Sequence, residues 1–316
     1  MKESIEFGGL TCKPGEKIQG YMSFADTGIQ SPVTLINGEK EGKTVLITSG
    51  IHGGEYPSIE GVIELAQEMT PEKISGALVI FHPVNVPGFL ERVSGIYPES
   101  GENLNRQYPG SREGTIGQRF AYSLTYDVIQ KCDFMIDTHG GDLHETLPPY
   151  VYYPGVGDQD IAEQSRQAAL NVHAKYMVRS QCDENAYHMC NRLGIPSMLI
   201  EMGGRGLWSR EEVEDYKFNI KNVLKYLGVL EGEAELPETP AHVITNAAYI
   251  DANCSGCWYP MVGLEEKVKK GQLLGVIKDF FGNVLEEVYA EFDSLILFYT
   301  VSLAIKAGDP IITYGI

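Results

Sequence analysis

At 316 residues, with 43% hydrophobic and 22% charged residues, the chain has the size of about two globular domains. Its formal net charge of −18 argues against nucleic acid or an anionic membrane surface as the main partner. We see no run near the roughly 18 apolar residues of a membrane span and no secretory leader at the polar start. The six cysteines are widely scattered, which is more typical of reduced thiols than of a disulfide framework. We therefore expect a cytoplasmic protein.

The first part of the chain predicts strands that alternate with helices. The predicted elements are, in chain order, strands at 17–24, 33–36 and 44–48, a helix at 57–69, a strand at 76–85, a helix at 117–130, a strand at 134–137, a helix at 161–174, a strand at 196–201 and a helix at 210–227. Such alternation implies an α/β fold with a mostly parallel sheet. Residues 86–115 show no clear period, which predicts a long functional or disordered loop.

The composition changes after the last predicted helix. Residues 231–240 are acidic and contain prolines, which is typical of a linker. Beyond them, short alternating stretches punctuated by glycines predict strands at 242–250, 256–261, 273–278, 284–289, 295–301 and 310–314. We therefore expect an α/β domain over 1–230 and an all-β barrel or sandwich over 241–316.

Residues able to bind a metal follow three of the predicted strands. His52 and Glu55 follow the strand at 44–48, His139 follows the strand at 134–137, and Glu201 ends the strand at 196–201. Glycines flank each of these positions, so the backbone can turn sharply there. A parallel sheet would bring the carboxyl ends of these strands to one edge.

The donor types indicate a catalytic zinc site with one ion per chain. His52, Glu55 and His139 form a His₂Glu ligand set that leaves a fourth position for water. Glu201 would be the carboxylate that takes the proton of that water and later gives it to a leaving amine. Asp137 points to the same side of an extended strand as His139 and is a candidate partner for its imidazole.

Arginine and amide groups in the neighbouring loops suit substrate binding. Asn105 and Arg106 could recognise a substrate carboxylate, because a guanidinium offers a planar fork of donors. Arg92 could polarise the scissile carbonyl and hold the developing oxyanion. Arg205, just after Glu201, could face the pocket and help to set substrate choice.

Together these motifs resemble the succinylglutamate desuccinylase/aspartoacylase family, a branch of the zinc-carboxypeptidase-like hydrolases. The matching runs, in chain order, are TSGIHGGEY at 48–56, NLNRQYPG at 103–110, DTHGG at 137–141 and EMGG at 201–204. The resemblance implies a mostly parallel central sheet flanked by helices and zinc-dependent hydrolysis of the linear amide in an N-acylated amino acid. It assigns zinc binding to His52, Glu55 and His139, the general base to Glu201, carbonyl polarisation to Arg92, and carboxylate binding to Asn105 and Arg106.

The C-terminal segment resembles the β domain of many bacterial deacylases of this family and, more widely, biotinyl/lipoyl-type barrel-sandwich modules. The similar runs are VKKGQLLG at 268–275 and IKAGDP at 305–310. Carrier modules present a modifiable Lys at a hairpin tip, but the corresponding tip at 290–295 reads AEFDSL. The missing Lys favours a domain that shields the active site or forms an assembly surface. Whether the chain forms a homo-oligomer stays open.

Two other functions stay open at this point. A metallocarboxypeptidase acting on peptides or cell-wall fragments would use the same zinc ligands. A non-catalytic zinc- or ligand-binding protein could keep the fold, although the base Glu201 argues against it. The neighbouring pair His144 and Glu145 is expected to lie in a solvated loop rather than in the site.

Overall fold

The computed structural model describes residues 2–24, 26–182 and 184–316. The elements up to residue 227 are, in chain order, β1 (Ile5–Phe7), β2 (Leu10–Cys12), β3 (Glu16–Ser23), β4 (Gln30–Asn37), β5 (Lys40–Ser49), α1 (Tyr56–Glu68), β6 (Ser75–Pro83), α2 (Val86–Glu91), α3 (Ile116–Ser123), β7 (Phe134–His139), β8 (Glu145–Thr146), β9 (Tyr150–Pro154), α4 (Gln159–Ala169), β10 (Tyr176–Ser180), α5 (Ala186–Arg192), β11 (Ser197–Glu201) and α6 (Arg210–Tyr226). The later strands are β12 (His242–Ile244), β13 (Ala247–Asp251), β14 (Gly256–Pro260), β15 (Lys267–Val268), β16 (Leu273–Lys278), β17 (Val284–Tyr289), β18 (Ser294–Thr300), β19 (Ala304–Ile305) and β20 (Pro310–Gly315). Single helical turns lie at Pro71–Lys73, Leu104–Arg106, Leu124–Val128 and Ile129–Lys131.

A large mixed sheet forms the centre of the molecule. Among the described residues it has nine strands in the order β12-β10-β9-β11-β7-β5-β6-β4-β3. Five of its eight strand pairings are parallel, and the antiparallel ones are β9 with β11, β4 with β6 and β3 with β4. The strands β11, β7 and β5 are neighbours, so the carboxyl ends that carry the predicted site residues meet at one place.

Helices cover both faces of this sheet because its central strands are apolar on both sides. Val45 and Ile47 of β5 join the core under α1, α4 and α6, whereas Leu46 between them joins the core under α3 and α5. Successive side chains of a strand point to opposite faces, which explains this division. The α/β expectation of a large sheet with flanking helices is confirmed.

Most predicted elements before residue 230 exist with bounds shifted by a few residues. The patterns did not predict β9, β10 and α5, which lie between α3 and β11. The segment 86–115 is also not without structure, since it contains α2, whose N-cap Asn85 accepts a hydrogen bond from the Gly88 N–H at 2.9 Å. This helix has six residues, which is too few to show a helical period in the sequence, and a single capping Asn does not predict a helix by itself.

The C-terminal strands form two smaller sheets around their own core. One sheet has the order β13-β20-β18-β15, with β8 also paired to β18, and the other has the order β17-β16-β14-β19. Trp258 lies buried between them, and its indole N–H donates to the Thr300 carbonyl at 3.0 Å. The strand predicted over 242–250 is wrong as a single element, because β12 pairs with β10 of the large sheet and only β13 joins the C-terminal sheets.

No helix among the described residues is both long and apolar enough to span a membrane.

Candidate metal centre and active site

The site lies where three neighbouring strands end. β5 ends at Ser49, and Gly50 then takes a φ of +64°, which turns the chain toward α1. A Cβ on Gly50 would lie 2.9 Å from the Cα of Pro83, so a glycine is needed for both the conformation and the space. The turn delivers His52 to the strand end and puts Glu55 at the N-cap of α1.

His52, Glu55 and His139 converge at this point. Glu55 Oε1 lies 2.8 Å from Nδ1 of His52 and 3.3 Å from Nδ1 of His139. The three donor atoms all lie within 4.8 Å of one another. Glu55 and His139 are each 2% exposed, so a cation held there would be screened from bulk water.

The outer nitrogens of both imidazoles contact hydrogen-bond acceptors. Nε2 of His52 donates to Asn103 Oδ1 at 3.1 Å, and this oxygen also accepts the Asn105 N–H. Nε2 of His139 donates to the Asp137 carboxylate at 3.2 Å. These acceptors assign the ring proton to Nε2 and leave both Nδ1 lone pairs directed at Glu55.

Two lone pairs and a carboxylate in contact repel one another unless a positive charge lies among them. Either both rings carry a second proton, or a cation is bound. Burial disfavours charge on His139, but the carboxylates of Glu55 and Asp137 outweigh it and raise the pKa of His139 well above its usual value. The second oxygen of Glu55, Oε2, is buried and has no hydrogen-bond partner in the described chain. Two imidazole nitrogens and a carboxylate oxygen within 4.8 Å of one another are the donor types that zinc prefers, so the group fits a zinc ion.

Asp137 holds the position that strand alternation predicts. Its Oδ2 contacts the ring of His139, and its Oδ1 accepts a hydrogen bond from Thr48 Oγ1 at 2.6 Å. Thr48 and Asp137 are paired across β5 and β7. The carboxylate thus links the two strands that carry the imidazoles and orients one of them.

Glu201 lies beside His139 because the two residues form the last pair between β11 and β7. Neighbours in a parallel ladder project from the same face, so the carboxylate points toward the His/Glu group. Its Oε2 is buried, and the described residues offer it no hydrogen-bond partner. Burial, with the nearby carboxylates Glu55, Glu145 and Asp137, raises the pKa of Glu201 well above its usual value, against the opposing effect of His139.

The structure brings Asn105 to the centre and leaves Arg106 at its rim. The side chain of Asn105 is buried, and its Nδ2 lies 3.5 Å from Nε2 of His139. Arg106 is exposed, and its guanidinium donates to the Asn105 carbonyl at 3.2 Å. It lies within electrostatic range of Tyr249 and Asp251 on β13, so the C-terminal part of the chain borders the site.

Arg92 and Arg205 lie farther from the three-residue group. Both are exposed and adopt left-handed backbone conformations, with φ of 55° and 63°. Arg92 lines a surface depression with Tyr56 and Trp208, and Arg205 donates from Nε to Thr146 Oγ1 at 3.3 Å. In the described part of the chain, neither arginine is hydrogen-bonded to the His/Glu group.

Two carboxylates near the site were not predicted from the sequence. Asp142 is buried, and its Oδ2 accepts the Gly95 N–H at 2.6 Å. Glu145 was expected in a solvated loop, but it is partly buried and accepts the Asp142 N–H at 3.0 Å. Burial and the Asp142 carboxylate raise the pKa of Glu145 to about 7. The D-x-x-E spacing after the DTHGG run was the signal available, whereas His144 is exposed as expected.

Three tyrosines form a wall beside Glu201. Tyr150 pairs with Glu201 across β9 and β11, and its ring packs edge-on against Tyr152 at 5.1 Å. The Tyr249 hydroxyl lies 3.5 Å from the Tyr152 hydroxyl. These side chains meet only because β13 folds back over β9, which no local pattern indicates.

Comparison with known proteins agrees with this geometry. Residues 41–227 match the family model of the succinylglutamate desuccinylase/aspartoacylase catalytic domain. The N-alpha-acetyl-L-2,4-diaminobutyric acid deacetylase of Halomonas elongata is 26% identical over 293 residues, which are 90% of this chain and 84% of that protein.

Solved structures resemble the whole chain. The product-bound ectoine utilization protein EutE (DoeB) of Ruegeria pomeroyi superposes with a TM-score of 0.83 at 25% identity, covering 96% of this chain and 97% of its own. A succinylglutamate desuccinylase/aspartoacylase of Rhodobacter sphaeroides gives a TM-score of 0.81 at 26% identity, with coverage of 95% and 94%. Because the family model covers more than half of the chain, the protein belongs to the succinylglutamate desuccinylase/aspartoacylase family.

Proposed function

We propose that this protein is a zinc-dependent hydrolase that cleaves the amide bond of an N-acylated amino acid. The observation that carries the proposal is the pairing of Glu201 with His139, which directs a carboxylate with an unpartnered oxygen at the His/Glu group. A base beside a metal site is the arrangement that amide hydrolysis needs.

His52 and His139, through Nδ1, and Glu55, through its carboxylate, would hold one zinc ion. When bound, the zinc would polarise the acyl carbonyl and make water more acidic. Asp137 and Asn103 would keep the two imidazoles in the required tautomer.

Glu201 would move the proton. Its Oε2 would accept a proton from the attacking water and then donate it to the departing amine nitrogen. Burial raises the pKa of Glu201, which favours its protonated form and suits donation to the amine. The tyrosine wall at Tyr150 would restrict the access of bulk water to the same oxygen.

Arginines would bind the substrate. Arg106 would pair with the substrate carboxylate at the rim, with the amide of Asn105 beneath it. We keep the oxyanion role for Arg92, although its place beside Tyr56 makes it the site assignment with the least structural support. Arg205, anchored to Thr146, would act on substrate choice.

The charges around the site favour a substrate with a cationic side chain. Asp142 and Glu145 lie on one side of the His/Glu group and Asp251 lies near Arg106. The carboxylates of Asp142 and Asp251, and that of Glu145 above about pH 7, would repel an acidic side chain and attract an ammonium group. An N-acetylated diamino acid, the substrate named for the Halomonas elongata relative, meets this requirement.

We also propose that residues 1–230 form the hydrolase domain and that 241–316 form a β domain that shields the site. Support comes from Tyr249, which reaches Tyr152, and from the pairing of β18 with β8 next to Glu145. The absence of Lys from the 290–295 tip argues against a carrier role.

The test is metal analysis combined with an amine-release assay. Purified protein loaded with zinc should contain about one ion per chain and release amine from Nα-acetyl-2,4-diaminobutyrate faster than from N-succinylglutamate or N-acetylaspartate. Faster cleavage of short peptides would identify a metallocarboxypeptidase instead. Zinc binding without hydrolysis of any of these compounds would indicate a non-catalytic binding protein.

A further inference from the structure

Tyr216 is a buried residue of α6 whose side chain contacts the backbone at two strand ends of the site. Its side chain has 0% exposure and belongs to the apolar core under α1 and α6. Gly61 of α1 leaves room for it, because a Cβ at this position would lie 2.8 Å from the Cβ of Tyr216. The ring therefore passes between α1 and α6 and carries its hydroxyl to the sheet edge.

The hydroxyl joins the backbone of two neighbouring strands. It donates its hydrogen bond to the carbonyl of His139, the last residue of β7. It accepts a hydrogen bond at 2.8 Å from the N–H of Met202, the residue after β11. Because a hydroxyl has only one proton, the Met202 carbonyl at 3.0 Å competes with that of His139 for it.

These contacts occur where the regular pairing of the strands stops. The last paired residues of β7 and β11 are His139 and Glu201. The Tyr216 hydroxyl thus links the carbonyl of the proposed zinc ligand to the N–H that directly follows the proposed base.

We propose that Tyr216 is a positioning residue that sets the distance between the imidazole of His139 and the carboxylate of Glu201. This inference rests on the proposed function. Without the hydroxyl, a buried carbonyl and a buried N–H lose their partner, and both strand ends are free to relax. Misplacement of reacting groups by about 1 Å can lower a rate about 100-fold, so a small relaxation would be measurable.

The test compares Tyr216→Phe with Tyr314→Phe in the zinc-loaded full-length protein. Tyr314 is a matched control, because it is also completely buried, lies in the core of the C-terminal sheets, and its hydroxyl accepts a hydrogen bond from the Glu291 N–H at 3.2 Å. We expect Tyr216→Phe to lower kcat about 10- to 100-fold with KM changed by less than about 3-fold. Its zinc affinity, measured by competition with a chromophoric chelator, should weaken about 10-fold. Tyr314→Phe should keep both values.

The outcomes separate this inference from the proposed function. A wild-type protein that neither hydrolyses the acyl amino acids nor binds zinc refutes the proposed function. The inference alone is overturned if the wild type is active and Tyr216→Phe keeps kcat and zinc affinity within about 2-fold. This also holds if Tyr216→Phe only loses as much thermal stability as Tyr314→Phe does. If Tyr216→Phe does not fold, Gly61→Ala crowds the ring without removing the hydroxyl; it should then lower kcat, and unchanged kcat would contradict the inference.

Discussion

Glu201 and His139 form the last residue pair between two adjacent parallel strands, so the proposed base and a proposed zinc ligand leave the same face of the sheet side by side. The backbone of β7 and β11, with the Tyr216 hydroxyl that links their ends, therefore determines the distance between them. Their functions should be separable, since one residue handles a proton and the other holds the metal.

Glu201→Gln tests this separation. The amide keeps the size of the carboxylate but cannot accept the proton of water, so kcat should fall about 1000-fold. Zinc content should stay near one ion per chain. Glu287→Gln, on the exposed strand β17, is the control and should keep normal activity. Substantial activity in Glu201→Gln would remove Glu201 from its role.

Asp137→Asn tests the support of the zinc ligand. The substitution weakens the acceptor that holds Nε2–H of His139 and should lower zinc affinity about 10- to 100-fold. Asp133→Asn is the matched control, because Asp133 precedes the same strand and its carboxylate accepts the Thr44 N–H near the surface. Equal zinc affinities of the two variants in a chelator competition would contradict the assignment.

Arg106→Ala should affect substrate binding more than turnover. Loss of a charge-assisted hydrogen bond costs about 1.5–3 kcal/mol, which corresponds to a rise in KM of about 10- to 150-fold. Arg112→Ala serves as a control, since Arg112 stacks on Tyr122 away from the site. Steady-state kinetics distinguish the variants, and a fall in kcat at constant KM would indicate a role in the chemical step instead.

The pH dependence of stability should reflect Glu145. Burial and Asp142 raise its pKa from 4.5 to about 7, so the folded chain binds this proton more tightly than the unfolded chain. The resulting stability is complete below the unfolded pKa and is lost as the pH rises through about 7. In chelator-treated protein, Tm of the wild type should fall relative to Glu145→Gln between about pH 5 and about pH 8. Parallel Tm curves would refute the expectation.

Lys217→Met should destabilise the contact between α1 and α6. The Lys217 side chain is 7% exposed, and its Nζ lies 2.6 Å from Glu68 and 3.0 Å from both Glu64 and Glu214. The three carboxylates are partly exposed, and Arg210 and Lys221 still pair with them, so removing the cation should cost about 1–2 kcal/mol. The pair of Lys40 and Glu231 provides a control, because it lies in solvent and Lys40→Met should leave the free energy of unfolding unchanged. Denaturant unfolding measures both values.

Local patterns were sufficient for the strands that carry the site. The run around Ile47 is apolar on both faces and ends in glycines, and the same holds for the run before His139. A strand buried on both sides must lie inside a sheet, and a glycine turn at its end places the next polar residue at the edge. For this reason His52, Glu55, His139 and Glu201 could be grouped before any coordinates were known.

Local patterns were not sufficient where the environment of a side chain depends on distant segments. Glu145 lies in a polar stretch that is typical of a solvated loop, yet β18 covers its backbone from the C-terminal part of the chain. Tyr249 reaches Tyr152 only because β13 folds back over the large sheet. Such contacts depend on the packing of segments about 100 residues apart, which no window of sequence contains.

The sequence by itself determined the donor set of this protein and the strand ends that carry it, because apolar periodicity and glycine turns act over a few residues. Only the tertiary structure decided how those groups are oriented. The acceptors on Nε2 of His52 and His139, the unpartnered oxygen of Glu201 and the Tyr216 hydroxyl between β7 and β11 all depend on contacts between separate elements. Orientation depends on which surfaces are buried together, and burial is a property of the whole fold.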